Sequence, residues 1–101
     1  MASFVKVAQK TDIPAGSGKT VDVNGTSVAL FNVDGTFYAI NDTCLHRGGP
    51  LGEGELDGKI AICPWHGWRW DVTNGVNQLN PAVSVKTYEV KVEGEDVSVA
   101  A

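Results

Sequence analysis

Cys44-Leu45-His46 and Cys63-Pro64-Trp65-His66, with sixteen residues between them, hold both cysteines and both histidines of this chain. Thiolate and imidazole are the soft and borderline donors that proteins use for zinc, copper and iron. Placing all of them in two tight pairs is the pattern of one metal centre gripped from two loops. A single disulfide is the competing use of two cysteines. The Cys-x-His spacing and the cytoplasmic setting expected below favour ligation instead.

Outward from the two pairs, the chain is punctuated for β structure. Phe4–Gln9 alternates as a first strand, and Ile13-Pro14-Ala15-Gly16-Ser17-Gly18 interrupts it, since proline removes a donor and glycine loosens the backbone. Thr20–Val23 and Thr26–Val33 flank Asn24-Gly25, a pair that accepts the positive φ of a tight hairpin turn. Asp34-Gly35 repeats the device before Thr36–Ile40, which completes a meander. The first Cys/His loop occupies 41–51, a turn-rich connection 53–58, and a short strand 59–62 delivers Cys63. Trp68–Asp71 alternates, Thr73-Asn74-Gly75 turns the chain, and 80–82 forms a loop. Val83–Val92 is expected as a long strand closing through Glu93–Asp96 onto Val97–Val99. No segment carries helical periodicity over three turns. The expected fold is all-β, one domain over 1–101, with a metal-binding part at about 41–82.

Composition narrows the function. At 101 residues, 43% of them hydrophobic and 20% charged, the chain matches a soluble globular domain rather than a disordered one. The net charge of −4 disfavours nucleic acid and is compatible with steering towards a basic protein partner. No apolar run reaches the roughly 20 residues of a membrane span, and Met1–Lys6 lacks a signal-peptide core, so a cytoplasmic protein is expected.

Two metals suit a ligand set of two cysteines and two histidines. Zinc takes it in tetrahedral structural sites, usually with two to five residues inside each pair, whereas the first pair here encloses a single residue. The other candidate is a [2Fe–2S] cluster in which histidines replace two cysteines on one iron. In its oxidised state the charges of such a core and its ligands cancel. An all-cysteine site would stay dianionic, so the mixed site accepts an electron more readily.

Cys44-Leu45-His46-Arg47-Gly48-Gly49-Pro50-Leu51 and Cys63-Pro64-Trp65-His66-Gly67-Trp68-Arg69-Trp70-Asp71 resemble the two cluster-binding boxes of Rieske iron–sulfur proteins. The resemblance extends over the strand pattern on both sides and is to the soluble Rieske-type ferredoxins that serve ring-hydroxylating oxygenases. The small subunit of assimilatory NAD(P)H nitrite reductases is the related alternative, and a zinc-binding interaction module the unrelated one. By this likeness the fold would be stacked antiparallel sheets with a small cluster-binding subdomain. Cys44 and Cys63 would hold the inner iron of one [2Fe–2S] cluster, and His46 and His66 the outer iron.

The departures from the family pattern are informative. Respiratory Rieske proteins carry a clamp disulfide, but Gly49 and Trp65 stand at its positions here. Those relatives also place hydroxyl donors to the cluster sulfurs where this chain has Trp68 and Trp70. That implies a potential towards the low end of the Rieske range, roughly −150 to +300 mV. The larger oxygenase subunits need a mononuclear iron held by two histidines and a carboxylate. Both histidines of this chain are already committed, so no catalytic residue is expected. The implied role is a one-electron carrier between a flavin-dependent reductase and a terminal oxygenase, with neither nucleic acid nor membrane as partner. Two further expectations attach to the surroundings of the boxes. Trp65, Trp68 and Trp70 would wall the sulfurs off from water or simply fill the core. Glu53, Glu55 and Asp57 would form an acidic docking rim or a solvated turn.

Overall fold

The computed structural model describes residues 4–42, 51–64, 67–78 and 80–100. Among them lie strands β1 (Phe4–Gln9), β2 (Ser17–Val23), β3 (Thr26–Val33), β4 (Thr36–Asn41), β5 (Glu55–Asp57), β6 (Ile60–Ile62), β7 (Arg69–Asp71), β8 (Thr87–Glu93) and β9 (Asp96–Ala100). Short 3₁₀ turns at Lys10–Asp12 and Leu51–Glu53 are the only helical elements among the described residues. The all-β expectation holds.

The β2–β3 and β3–β4 hairpins form where the turn pairs stand. Asn24 and Gly25 take φ values of 53° and 88°, and Asp34 and Gly35 take 51° and 91°. Two consecutive positive φ angles match the twist of the flanking strands. Register is then fixed from Val23↔Thr26 and Val33↔Thr36 outward. Beyond the meander, order is set by non-local pairing. β4 pairs with β8, β8 with β9, and β9 with β1, giving a six-stranded antiparallel sheet in the order β1-β9-β8-β4-β3-β2. Its edge strands β1 and β2 come back into contact, so the sheet curls around a first core.

Val28-Ala29-Leu30-Phe31 in β3 is a continuous apolar run, the mark of a strand buried on both faces. Val28 and Leu30 point into the first core with Val21, Val23, Phe37, Ala39, Val97 and Val99. Ala29 and Phe31 point the other way, with Ile40 of β4, into a second core. The three-stranded sheet β5-β6-β7 stacks there, supplying Ala61, Cys63 and Trp70, with Leu51, Val72 and Val85 from the loops. Phe31, Ile40, Leu51 and Trp70 are fully buried. Each such side chain contributes about 1.5–3 kcal/mol of hydrophobic stabilisation. The second core thereby fixes the small sheet against the large one.

Three local expectations are corrected. The segment 53–58 is more than a turn, because Glu55–Asp57 pairs with Ile62–Ile60 as β5. The strand expected from Val83 begins only at Thr87. Ser84 bridges to Val76 and the Val85 N–H donates to the Gly75 carbonyl at 2.8 Å, which draws 83–86 towards the second core. β2 starts at Ser17, inside the stretch expected to be irregular, because Gly18 pairs with Phe31 and leaves room for its ring.

Candidate metal centre

β4 ends at Asn41, and the next residue, Asp42, is 5% exposed. Its carboxylate Oδ1 accepts the Thr20 hydroxyl from β2 at 2.9 Å and the Gly52 N–H at 2.8 Å. Its carbonyl accepts the Leu51 N–H at 2.6 Å, and its own N–H donates to Ser27 at 3.2 Å. The chain that leaves at Asp42 and returns at Leu51 is thus latched at its base to two strands of the large sheet. Leu51, at the latch, is fully buried in the second core.

The second loop is the tip of the β6–β7 hairpin. Register Ile60↔Asp71, Ala61↔Trp70 and Ile62↔Arg69 continues into a bond from the Cys63 N–H to the Trp68 carbonyl at 2.7 Å. The Gly67 N–H donates back to the Cys63 carbonyl at 3.0 Å. Side chains alternate across a strand, so Ala61 and Cys63 share one face with their cross-strand neighbours Trp70 and Trp68. That face is the one buried in the second core. The Cys63 thiol is 2% exposed and forms no disulfide. Trp68 is half-buried against Trp70, with ring centroids 6.2 Å apart and planes tilted by 41°.

The segment that follows the first loop approaches the one entering the second at Gly54. A side chain there would run into the Ile62 carbonyl and approach Pro64 Cδ to 3.1 Å. Only glycine lets the strand after the first loop lie this close to the one entering the second. A cavity of about 370 Å³ opens between them, lined by Glu53, Gly54, Glu55, Ile62, Cys63, Pro64 and Gly67. Beyond the Thr73-Asn74-Gly75 turn the chain packs back on β7 through the bridge Trp70↔Asn77. Asn77 Oδ1 accepts the Asn80 N–H at 3.0 Å, and the Asn80 carbonyl accepts the Val83 N–H at 2.9 Å, which leaves Pro81 exposed.

Asp71, at the end of β7, anchors the far side of the hairpin. Burial pushes its carboxyl up. The Thr73 hydroxyl and N–H, together with Lys59 at 3.3 Å, more than offset this and hold it below the usual carboxylate range. Its carbonyl accepts the Gly75 N–H at 2.6 Å, closing the Thr73-Asn74-Gly75 turn.

Of the four expected ligands, Cys63 is described and sits on the buried face of the hairpin, while Cys44, His46 and His66 lie outside the described residues. Trp65 lies outside them too. Glu53 and Glu55 are exposed on the cavity wall beside Cys63, whereas Asp57 is exposed but no part of that wall. The latch role of Asp42 and the close approach at Gly54 were not anticipated. An aspartate immediately before a glycine-rich loop is the signal that points to the first; nothing local points to the second.

The residues present fit an iron–sulfur group. The second core surrounds the Cys63 sulfur with apolar side chains, where a free thiolate would be costly and a metal-bound one is neutralised. Trp70 contributes a fully buried indole N–H with no hydrogen-bond partner among the described residues. The Rieske [2Fe-2S] domain model matches residues 3–89, most of the chain and both Cys/His boxes.

The chain belongs to the Rieske [2Fe–2S] domain family. Its prosthetic group is one Rieske-type [2Fe–2S] cluster, which sets the zinc alternative aside. The ferredoxin component of the naphthalene 1,2-dioxygenase/salicylate 5-hydroxylase systems of Ralstonia sp. is 37% identical over 92 residues, 90% of this chain and 88% of the relative. In the solved complex of reduced oxygenase and oxidized ferredoxin of carbazole 1,9a-dioxygenase, a chain 35% identical superposes with a TM-score of 0.87, covering 96% of this Rieske chain and 92% of that one. A putative NADPH nitrite reductase small subunit superposes at a TM-score of 0.83 with 26% identity, covering 98% and 99%. Among the described residues of this Rieske protein, no helix is long and apolar enough to cross a membrane.

Proposed function

We propose that this Rieske protein is a soluble, cytoplasmic one-electron carrier that takes an electron from a flavin-dependent reductase and delivers it to a terminal oxygenase of a ring-hydroxylating system. The observation that carries this reading is the buried Cys63 thiol on the inner face of the β6–β7 hairpin, in a chain that shares over a third of its residues with a dioxygenase ferredoxin. Cys44, His46, Cys63 and His66 would hold the cluster, the two cysteines on one iron and the two histidines on the other. The whole of 1–101 acts as a single domain, with the cluster-binding part at about 41–82.

When bound, the cluster supplies reversible one-electron chemistry. The protein supplies the rest. Cys63 holds its end of the site inside the second core, where Phe31, Leu51, Trp70 and Val85 exclude water. Asp42 and the β6–β7 pairing fix the bases of the two loops, so the ligands need little reorganisation between oxidation states. No residue is assigned to substrate chemistry, because both histidines are committed to the cluster. The nitrite reductase alternative would keep the same cluster in this chain but rests on the lower identity, 26% against 35–37%.

The deciding experiment is reconstitution with a flavin reductase and a terminal oxygenase of a ring-hydroxylating system, scored by product per electron donated. Turnover that depends on added protein supports the reading. Stable co-purification with a sirohaem subunit, and no oxygenase support, would replace it with the nitrite reductase reading.

A further inference from the structure

Trp70 is fully buried, and its Nε1–H has no hydrogen-bond partner among the described residues. A buried donor left unmatched costs about 1–3 kcal/mol, and such groups are rare enough in native proteins to need a cause. The surroundings narrow the choice of acceptor. The second core holds Trp70 together with Ala29, Phe31, Ile40, Leu51, Ala61, Val72, Val85 and Cys63. Among the buried members, the sulfur of Cys63 is the one side-chain acceptor, and the indole N–H makes no hydrogen bond to it, so the acceptor is one that the bound cluster brings. Trp70 stands opposite Ala61, and Cys63 follows two residues later on the same face. It is therefore a diagonal cross-strand neighbour about 7–8 Å away, which sets the indole on the face of the hairpin that carries the expected ligand.

We infer that the Trp70 indole N–H donates its hydrogen bond to a sulfide of the bound cluster and thereby sets the reduction potential. The inference rests on the ligation proposed above. Reduction adds one negative charge, shared by the sulfurs, and a fixed N–H dipole aimed at sulfur favours that more negative state. The indole keeps its proton throughout; the electron comes from the reductase, and only the strength of the N–H···S bond changes. Trp70 is thus a positioning residue for redox poise that partly replaces the hydroxyl donors missing at positions 68 and 70.

The test compares wild type with Trp70→Phe and with 3-benzothienylalanine introduced at position 70, an isostere whose ring sulfur replaces the N–H at nearly constant volume. Dithionite titration followed by absorbance and electron paramagnetic resonance gives the midpoints, and iron per chain gives the occupancy. Both variants should retain iron and titrate at lower potential, with reduction disfavoured about tenfold, or 59 mV for one electron. An iron-loaded isostere with the wild-type midpoint overturns the inference. Should either variant fail to load, unsubstituted Trp70 is probed in protein carrying indole-¹⁵N tryptophan. Pulsed resonance of the reduced protein should then show a ¹⁵N coupling that survives Trp68→Phe; its absence also overturns the inference. A wild-type protein with no iron would sink the proposed function instead, which keeps the two failures apart.

Discussion

The Gly52 N–H and the Asp42 carboxylate meet across 2.8 Å at the base of the first Cys/His loop, and the Thr20 hydroxyl shares the same oxygen at 2.9 Å. One buried acceptor therefore ties three separate parts of the chain: the middle of β2, the end of β4 and the turn that follows the loop. The sheet hands its rigidity to the metal centre at this point.

Replacing Asp42 with alanine leaves two donors without their acceptor in a site only 5% exposed. The expected loss is on the order of 2 kcal/mol, read as a lower urea midpoint at unchanged slope, together with reduced iron per chain. Asp42→Asn retains an acceptor oxygen and should recover part of both. An alanine variant with wild-type stability and iron would show that the latch is dispensable.

Cys63→Ser tests the one expected ligand whose position is described. The serine variant should fold, because the second core keeps its apolar members, yet lose most of its bound iron, acid-labile sulfide and visible absorbance. Wild-type iron in that variant would remove Cys63 from the ligand set.

Gly54→Ala drives a methyl group into the Ile62 carbonyl, where backbone rather than a flexible side chain must yield. Overpacking of this kind costs about 1–3 kcal/mol. Because the strain falls between the two loops, cluster loss on mild heating should accelerate along with global unfolding. A Gly54→Ala variant with wild-type stability and wild-type cluster retention would argue against the packing explanation.

The Asp71 carboxyl lies below its ordinary value in the folded protein. Its contribution is therefore complete above the unfolded carboxylate pKa of about 3.9 and is lost as pH falls through the lower folded value. Asp71→Asn should destabilise the protein by about 1–2 kcal/mol at neutral pH, with Lys59 adding little because it is 60% exposed. The difference between the two proteins should narrow below pH 4. Urea unfolding of both across pH 3–7 checks this; a difference that widens in acid reverses the sign of the argument.

Glu53 and Glu55 are exposed beside Cys63 in a chain of net charge −4. If electron transfer proceeds through docking on this face, raising salt from 50 to 500 mM should slow reconstituted turnover several-fold by screening. Glu53→Gln with Glu55→Gln should blunt that salt dependence while leaving the midpoint potential nearly unmoved. A rate indifferent to salt would place docking elsewhere.

Local chemistry was legible along the chain. The two Cys/His boxes carried the resemblance that named the cluster, and Asn24-Gly25 and Asp34-Gly35 named the hairpins, because a motif and a positive φ are properties of a few neighbouring residues. Phe4–Gln9 and Thr26–Val33 stand as strands at the limits their patterns gave. The tertiary structure decided the rest. Glu55-Leu56-Asp57 has little strand preference and becomes β5 only because β6 lies beside it. Val83–Lys86 leaves the strand its composition suggests because Gly75 and Val76 compete for its backbone. Asp42 becomes a latch through Thr20, twenty-two positions away, and Trp70 faces Cys63 through register. Pairing partners and burial are set by which segments meet when both faces of β3 are covered. No window of sequence contains that information.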